Sequence, residues 1–313
     1  MARSRAMTVA PVPARPPDPR WPRAWDWLRT GPGRRRSADL AVLGVPTFAT
    51  SLSPSGAHAT PAAVRRALAR LSTWCPSRHV DVAELTAYDL GDVADPDVPV
   101  EGEWRTRTAV ESAARKARLL VALGGDNALT YPVLAGVAGE DLGRAGLVTL
   151  DAHHDLREGR SNGSPVRQLL DSGLDPHRVV QIGIADWANS RSYGDEARSR
   201  GITVISRRQV EQRGIAVVVR EGLELAGAGG GPVHVDLDLD VCDRAVAPGC
   251  PASLPGGLSA GEILEAAFLA GLDPRVRSVD VAEVDATADP DLRTVRLAAL
   301  CLLEAAAGLA LRP

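Results

Sequence analysis

Short apolar runs recur along the chain from Ala38 onward, and each run ends in a polar or glycine-rich turn. The runs are rich in Val, Ile and Leu and alternate with longer segments of helical periodicity. Near-continuous apolar runs of this length are typical of parallel strands that are buried on both faces. We predict strands at 39–45, 119–123, 147–151, 179–184, 202–205, 233–239 and 278–283. The pattern therefore predicts an α/β fold with three layers, α/β/α, around a mostly parallel central sheet.

Local signals for helix starts agree with this alternation. Thr60 followed by Pro61 predicts an N-cap and a proline at the first helical position. Ser259 and Glu262 have the spacing of a capping box. The segment at about 293–310 is strongly apolar and carries few charges, so we expect this last helix to pack inside the protein.

The N-terminal 37 residues differ from the rest of the chain. They carry a series of prolines among Arg and Trp, a composition that does not sustain regular structure. We predict an extended arm over 1–37 and a single folded domain over 38–313. Trp21, Trp25 and Trp27 are candidates to pin the arm onto the body or onto a neighbouring subunit, because large aromatic side chains are costly to expose.

Charge and composition exclude several classes of protein. The 313 residues include 36 Lys and Arg against 39 Asp and Glu, a net charge of -3, which argues against a nucleic-acid surface. No apolar run approaches the roughly 18 residues of a membrane span, and the N-terminus lacks a secretory signal. The four cysteines show no CxxC spacing and suit a reduced compartment. We therefore expect a cytoplasmic protein that binds neither nucleic acid nor membrane.

An acidic and histidine-containing segment follows one predicted strand directly. The strand 147–151 runs into the sequence DAHHD at 151–155. Residues two apart lie on the same side of an extended chain, so Asp151, His153 and Asp155 can converge where the strand end curves. A mixture of carboxylates and imidazole is suited to Mn, Fe or Zn.

A second row of acids alternates with apolar residues at Asp236, Asp238 and Asp240, and Glu283 ends another predicted strand. Burying such a row without a cation would be very costly. Ligands of open α/β sheets bind beyond the carboxyl ends of the strands, which is where these acids and the sequence LGGDN at 123–127 fall. Together these segments predict a site that holds a positively charged group.

These motifs resemble those of the ureohydrolases, the superfamily of arginase, agmatinase and formiminoglutamase. The resemblance extends over about 38–310 and rests on four segments: GGDN at 124–127, DAHHD at 151–155, DLDVCDRAVAPG at 238–249 and AEVD at 282–285. It implies two Mn²⁺ ions and six ligands, Asn127, Asp151, His153, Asp155, Asp238 and Asp240. In that arrangement Asp151 and Asp238 bridge the two ions. Asp236 is expected to lie outside the ligand set.

The resemblance also implies roles in catalysis. Two ions that share one water molecule can lower its pKa from about 15.7 toward roughly 7 and so supply hydroxide. The bridging hydroxide would attack the carbon of a C=N group, and Asp155 would pass the proton to the departing amine. Glu283 matches the acid that holds the cationic amidine or guanidine group of the substrate, so both acids are candidate catalytic residues.

One ligand position departs from the family pattern. Asn127 stands where the family usually has histidine, which replaces an imidazole by a weaker neutral amide oxygen. We therefore expect one of the two manganese ions to bind more weakly. His154 is expected to pack beside the site rather than to bind metal.

The segment after DAHHD is the part of the sequence that bears on the substrate. It resembles the formiminoglutamase branch in the sequence NGSPVR at 162–167, and Asn162 stands where arginases have histidine. Guanidinium groups pair with carboxylates in bidentate fashion, so Arg157 and Arg167 are candidate contacts for a substrate that carries carboxylates. The alternative is that either arginine only holds the loop. The substrate-binding set expected from the sequence is Arg157, Asn162, Gly163, Ser164, Arg167 and Glu283.

Three hypotheses of function follow. The first is a manganese-dependent amidine hydrolase that converts N-formimino-L-glutamate and water to L-glutamate and formamide. The second is an agmatinase or guanidino-acid hydrolase of the same fold that releases urea. The third is a binding protein of the same fold whose catalysis is impaired by Asn127. The resemblance further implies a homo-oligomer, either a trimer or a hexamer.

Overall fold

The computed structural model describes residues 18–29 and 37–313. The strands assigned in these residues are β1 (Ala38–Val45), β2 (Trp74–Cys75), β3 (Val80–Asp81), β4 (Ala87–Asp92), β5 (Ala117–Gly124), β6 (Gly146–Leu150), β7 (Val179–Ile184), β8 (Thr203–Ser206), β9 (Val233–Asp238) and β10 (Val276–Ala282). The α-helices are α1 (Ala24–Arg29), α2 (Thr60–Leu68), α3 (Glu101–Ala114), α4 (Thr130–Ala138), α5 (Pro165–Asp171), α6 (Arg191–Arg200), α7 (Arg207–Arg213), α8 (Ile215–Ala226), α9 (Ala260–Leu272) and α10 (Arg293–Ala310).

Eight strands form one sheet in the order β4-β1-β5-β10-β9-β6-β7-β8. Every strand pair within this sheet is parallel. All seven predicted strands are present, with ends that differ by at most two residues. The predicted α/β fold with a mostly parallel central sheet is therefore confirmed.

Helices cover both faces of the sheet, as the three-layer prediction requires. Side chains of α2, α7, α8, α9 and α10 pack on one face in the largest hydrophobic cluster. Side chains of α3, α4, α5 and α6 form two further clusters on the other face. Strand residues alternate between these clusters, since neighbouring side chains of a strand point to opposite faces. Leu150 and Leu237, for example, belong to the first cluster, whereas Leu147 belongs to the opposite face.

Strand β4 and the short antiparallel pair β2 and β3 were not predicted from the sequence. Strand β4 lies at the edge of the sheet and is only partly buried, with the sequence AYDLGD. An edge strand is covered less completely than a central one, so its sequence lacks the continuous apolar run that identifies central strands.

The helix-start predictions have mixed outcomes. Ser259 and Glu262 form the predicted capping box at the start of α9. The prediction for Thr60 was wrong, because Ala59 is the N-cap of α2 and the side chain of Thr60 makes no cap. The Thr60 hydroxyl donates instead to the backbone carbonyl of Val284, across the sheet. Helix α10 is extensively buried, as expected.

Part of the predicted N-terminal arm is helical rather than extended. Helix α1 packs against the body, and the indole N–H of Trp27 donates to the carbonyl of Leu85 at 2.9 Å. Trp27 and Leu28 are buried, whereas Trp21 is exposed. The remainder of the arm, 1–17 and 30–36, lies outside the described residues. No helix in the described part of the chain combines the length and apolar character that a membrane span needs.

Candidate metal centre

The predicted ligands lie together at the carboxyl edge of the sheet, where the four central strands β5, β10, β9 and β6 are neighbours. Asp151 follows the end of β6, and Asp238 is the last residue of β9. Asn127 follows β5, and Glu283 follows β10. Because parallel strands end at the same edge, four segments that are distant in sequence contribute side chains to one site.

Asp151, His153 and Asp240 form the tightest group. One ligand atom from each of these residues lies within 4.8 Å of the others. The Nδ1 atom of His153 is 3.0 Å from a carboxylate oxygen of Asp240 and 3.4 Å from one of Asp151. The backbone also shapes the group, because the amides of His153 and Asp240 donate to the carboxylates of Asp151 and Asp238 at 2.6 and 2.8 Å.

Burial and mutual repulsion dominate the electrostatics of the site. Burial and the neighbouring Asp240 raise the pKa of Asp151 to about 6. Burial, together with Asp240 and Asp151, raises the pKa of Asp238 well above its usual range. Burial alone would lower the pKa of His153, but the adjacent carboxylates of Asp240 and Asp151 raise it to about 12. The protein alone therefore does not neutralise this cluster of acids.

The residues fit a divalent cation. One carboxylate oxygen of Asp151, Oδ2, is buried and has no hydrogen-bond partner in the described ranges 18–29 and 37–313. A buried and unpaired carboxylate oxygen is costly unless a cation or proton compensates it. Carboxylates combined with an imidazole are a donor set that suits manganese. Asp238 and Asp240 are both at most 3% exposed, so the site also excludes most solvent.

Asp155 and Asn127 extend the group on one side. The side-chain amide of Asn127 donates to Oδ2 of Asp155 at 2.8 Å. The carbonyl oxygen of Asn127, which is the expected ligand atom, accepts from the hydroxyl of Thr130 at 2.8 Å. That oxygen could reach an ion only if the amide turned over. Burial and Asp151 raise the pKa of Asp155 well above its usual range.

Glu283 lies beside Asn127 and is 6% exposed. Its Oε1 atom accepts from the backbone N–H of Asn127 at 2.7 Å and from the side-chain amide of Asn162 at 2.8 Å. Burial and the nearby Asp126 and Asp240 raise the pKa of Glu283 to about 8. A cationic group beside Glu283 would favour its ionised form.

The backbone is strained at two of these residues. Asp155 has φ of 52° and Glu283 has φ of 63°, values that side chains with a Cβ rarely adopt. Such residues persist where surrounding structure holds them, and they concentrate at functional sites. Gly125 allows the neighbouring loop to approach, since a Cβ at this position would lie 1.8 Å from the carbonyl oxygen of Thr47.

A cavity of about 260 Å³ opens onto the acidic group and is lined in part by His153, Asp155, Asp238, Asp240 and Glu283. Among the residues predicted to contact substrate, Arg157, Asn162 and Gly163 also line it. Arg157 is exposed and makes no ion pair with any other part of the chain that the structure describes. Among the described residues that line this cavity, Arg157 is the only arginine or lysine, and the carboxylates of Asp155, Asp238, Asp240 and Glu283 line it too.

Ser164 and Arg167 lie elsewhere. The guanidinium of Arg167 donates to Glu196 and to the carbonyl of Leu156, both at 2.8 Å, and does not line the cavity. Ser164 is buried and its hydroxyl lies 2.8 Å from that of Ser161. Both residues hold the loop that follows β6 in place.

His154, which was expected to lie beside the site without binding metal, lines the cavity as well. Its Nδ1 atom is 2.7 Å from the side-chain oxygen of Gln181, and the side-chain amide of Gln181 donates to the carbonyl of His154. Asn189 accepts from the backbone N–H of His154 and donates to the carbonyl of Ala152. These contacts tie the DAHHD segment to β7. No pattern in the sequence links Gln181 or Asn189 to that segment.

Asp236 lies on β9 two residues before Asp238, one step further from the carboxyl edge of the sheet. It pairs in register with Asp280 of β10 and Thr149 of β6. Neither of its carboxylate oxygens has a conventional donor, and burial together with Asp280 raises its pKa well above the usual range. Asp236 does not line the cavity, which is in keeping with its expected place outside the ligand set.

Comparisons with known proteins agree with this geometry. The family model described as the arginase family matches residues 38–308. The formimidoylglutamase of Halalkalibacterium halodurans is 34% identical over 278 residues, which are 86% of this chain and 86% of that protein.

Two solved structures are also similar. The crystal structure of formimidoylglutamase from Bacillus subtilis strain 168 has a TM-score of 0.90 at 29% identity and covers 98% of this chain and 97% of that one. The structure of Trypanosoma cruzi formiminoglutamase with Mn²⁺ has a TM-score of 0.85 at 26% identity and covers 94% of this chain and 100% of that one. With its sheet, its acidic cluster and a match over nearly its whole length, the chain belongs to the arginase family.

Proposed function

We propose that the protein hydrolyses N-formimino-L-glutamate to L-glutamate and formamide. The observation that carries this proposal is one cavity whose lining combines the buried carboxylate of Glu283 with Arg157 and with members of the acidic cluster, His153, Asp238 and Asp240. A cationic amidine with carboxylates on its other end matches that distribution of charge. The similarity to formimidoylglutamases over most of the chain supports the same substrate.

Five side chains would hold manganese at this site: Asp151, His153, Asp155, Asp238 and Asp240. When bound there, manganese would make a water molecule more acidic and a better nucleophile, and would stabilise negative charge that develops in the reaction. We propose two ions, as the family resemblance implies. The unpaired Oδ2 of Asp151 and the mutual repulsion of the carboxylates support a site of high positive charge.

The chain's own residues would orient the substrate. Glu283 would bind the cationic amidine, and its position is held by the backbone of Asn127 and the side chain of Asn162. Orienting the C=N carbon above the acidic group reduces the entropic cost of the attack. Because the cavity floor is buried, the charge of Glu283 acts on the substrate with little screening by solvent.

Asp155 would move the proton in the reaction. A C–O bond forms to the amidine carbon while its C–N bond to the glutamate nitrogen breaks, and that nitrogen must leave as an amine. Asp155 lines the cavity and is held by the amide of Asn127, so its carboxylate can take a proton from water and deliver it to the leaving nitrogen. The amidine carbon then becomes the carbonyl carbon of formamide.

Arg157 would bind a carboxylate of the substrate. Guanidinium groups bind carboxylates through two parallel hydrogen bonds. Arg157 is the arginine of the predicted set that lines the cavity, whereas Arg167 is already paired with Glu196. Arg167 is therefore proposed to support the loop.

A homo-oligomer, either a trimer or a hexamer, is proposed from the family resemblance alone. Sedimentation of the purified protein tests this proposal.

The full chain loaded with Mn²⁺ should release formamide from N-formimino-L-glutamate, without urea or ammonia. Separate assays of formamide, urea and ammonia, with agmatine and guanidino acids as further substrates, test this. Urea release from a guanidino compound, without formamide release, would replace the proposal with a guanidino hydrolase. No turnover at any Mn²⁺ concentration would favour a binding protein.

Arg157→Gln tests the carboxylate contact. We expect KM to rise about 10-fold or more, because a charged hydrogen bond to the substrate is lost. Arg160→Gln is the matched control, since Arg160 lies three residues away, pairs with Glu103 and does not line the cavity. Equal KM values for the two variants would remove Arg157 from the substrate site.

A further inference from the structure

We propose that Thr130, Asp280 and His234 are positioning residues that orient the side chain of Asn127 and, through it, Asp155. The three residues lie on α4, β10 and β9. None of them lines the cavity, so they would act on the reaction only through Asn127 and Asp155. The catalytic part of this inference rests on the proposed function, whereas its metal-binding part does not.

A continuous line of hydrogen bonds carries the inference. The hydroxyl of Thr130 lies 2.8 Å from the carbonyl oxygen of Asn127 and 2.9 Å from Oδ2 of Asp280. The same Oδ2 of Asp280 lies 3.0 Å from Nε2 of His234. The amide of Asn127 then donates to Asp155 at 2.8 Å. A hydroxyl has one proton, so Thr130 shares it between these two acceptors, and the line of contacts runs from the interior of the sheet to the predicted metal ligand Asp155.

The far end of the line is anchored as well. The Nδ1 atom of His234 is 2.8 Å from the hydroxyl of Ser278 on the neighbouring strand. Thr130, His234, Ser278 and Asp280 are all fully buried at 0% exposure. Burying four polar side chains costs free energy unless they are hydrogen-bonded, and the hydrogen bonds between them favour one geometry. The other carboxylate oxygen of Asp280, Oδ1, has no hydrogen-bond partner among the described residues. Apolar side chains at these four positions could fill the same space but could not orient Asn127 through hydrogen bonds.

The side chain of Asn127 requires a partner that fixes its orientation, because the oxygen and the nitrogen of its amide are nearly equal in size. Rotation by 180° about the last side-chain bond exchanges the oxygen and the nitrogen. With the hydroxyl of Thr130 on the carbonyl oxygen, the nitrogen faces Asp155. Partners outside the ligand set that orient a metal-binding residue commonly change metal affinity or activity 10-fold to 100-fold when they are removed. Without the hydroxyl, the amide would sample both orientations beside Asp155.

Thr130→Val removes the hydroxyl and keeps the volume. We expect kcat for formamide release to fall about 10-fold or more, with KM within about threefold of wild type, because substrate contacts are untouched. We also expect weaker Mn²⁺ binding by about 10-fold in a calorimetric titration of the metal-free chain. Thr130→Ser, which keeps the hydroxyl, should restore both values to within about threefold of wild type.

Thr149→Val is the matched control. Thr149 is also fully buried, on the neighbouring strand β6, but its hydroxyl has no hydrogen-bond partner in the part of the chain that the structure describes. The control therefore removes a buried threonine hydroxyl that is not part of the line of hydrogen bonds. Equal kcat values and equal Mn²⁺ affinities for Thr130→Val and Thr149→Val would overturn the proposal, as would failure of Thr130→Ser to restore them.

Two further measurements keep the test decisive. If Thr130→Val does not fold, Thr130→Cys gives the same comparison, since a thiol is a much weaker donor of similar size. If wild type releases no formamide, the proposed function fails, but the Mn²⁺ titrations of Thr130→Val and Thr149→Val still decide the positioning role.

A double variant that combines Thr130→Val with Asp280→Asn should bind Mn²⁺ no more weakly than Thr130→Val alone, because both changes interrupt the same line of hydrogen bonds. Additive losses would contradict that common path.

Discussion

The two faces of strands β6 and β9 are built from the same segments of sequence but differ in chemistry. On one face, Leu150 and Leu237 pack in a dry cluster against α8 and α9. On the other face, Thr149, Asp151 and Asp238 are just as deeply buried. Burial thus has opposite consequences on the two faces. It stabilises the fold where side chains are apolar, and it creates an unbalanced charge that binds a cation where they are acidic.

The comparison shows that the position of a residue in the core does not indicate whether it contributes to stability or to function. The leucines of the apolar face gain free energy from leaving water. The carboxylates of the polar face lose hydration and repel one another, as their raised pKa values show. Folding therefore supplies a preformed site for Mn²⁺, and the apolar face offsets the cost of holding it.

Asp238→Asn should produce the largest effect on the polar face. Activity is expected to fall at least about 10³-fold, because losing one of the proposed carboxylate ligands removes several kcal/mol of charge stabilisation. In metal-free protein the same change should raise the melting temperature, since one repelling charge has gone. Formamide release, metal content and thermal unfolding in EDTA measure the two effects. A variant that is less stable without metal would contradict the described repulsion.

Leu237→Ala makes the corresponding test on the apolar face, one residue from Asp238. The free energy of unfolding is expected to fall by about 2–5 kcal/mol, because a fully buried leucine leaves a cavity. Denaturant unfolding measures it. At temperatures where the variant is folded, kcat should change far less than in Asp238→Asn. If Leu237→Ala abolished activity while folded, the two faces could not be treated as separate in function.

The stability of metal-free protein should fall as pH rises from about 4 to about 8. Asp151 has its pKa raised to about 6 and Glu283 to about 8, so the folded state binds more protons than the unfolded state in this range. Stability is fully present below the unfolded pKa values and is lost as pH rises through the folded ones. We expect a decrease in Tm on the order of 5 °C.

Saturating Mn²⁺ should weaken or reverse this trend, because metal binding requires deprotonated ligands. Thermal unfolding at several pH values, in EDTA and in Mn²⁺, makes the comparison. Asp238→Asn is the matched variant and should show a shallower dependence on pH in EDTA. A Tm in EDTA that rises between about pH 5 and pH 8 would show that these acids are not destabilised in the folded protein.

Thr149→Val should have the smallest effect and sharpens the comparison. Its hydroxyl is buried without a partner, so replacing it with a methyl group should stabilise the protein by about 1 kcal/mol. The expected rise in Tm is about 2 °C. Activity should not change, since Thr149 lies below the ligands and does not line the cavity. A loss of stability would indicate a hydrogen bond to buried water at this hydroxyl.

Much of the fold could be predicted from the sequence because central strands of a parallel sheet are apolar on both faces. The seven predicted strands are all in the main sheet, and they include the four that carry the candidate ligands. Strand β4 was missed because an edge strand needs only partial burial. Thr60 was misassigned as a cap because its hydroxyl bonds to Val284, a residue that is 224 positions away in the chain.

The candidate ligands were predicted from local patterns and a family resemblance, but several of their contacts could not be. Both arginines after DAHHD could pair with a substrate carboxylate as judged from the sequence. Only the structure shows that Arg157 lines the cavity, whereas Arg167 pairs with Glu196. His154 lines the cavity because Gln181 and Asn189 hold its segment against β7. These contacts join residues that are about 30 positions apart, so no local pattern contains them.

By itself, the sequence determined the fold class and the set of acids available to bind manganese. It also showed which strands end in acidic residues. These features could be predicted because periodicity and residue type are local properties. Only the tertiary structure decided the strand order, the alignment of Thr149, Asp236 and Asp280 in one row, and the direction of the Asn127 amide. The physical reason is that hydrogen bonds and repulsion between charges depend on distances of a few ångströms. Those distances are set by packing between elements that are far apart in the chain.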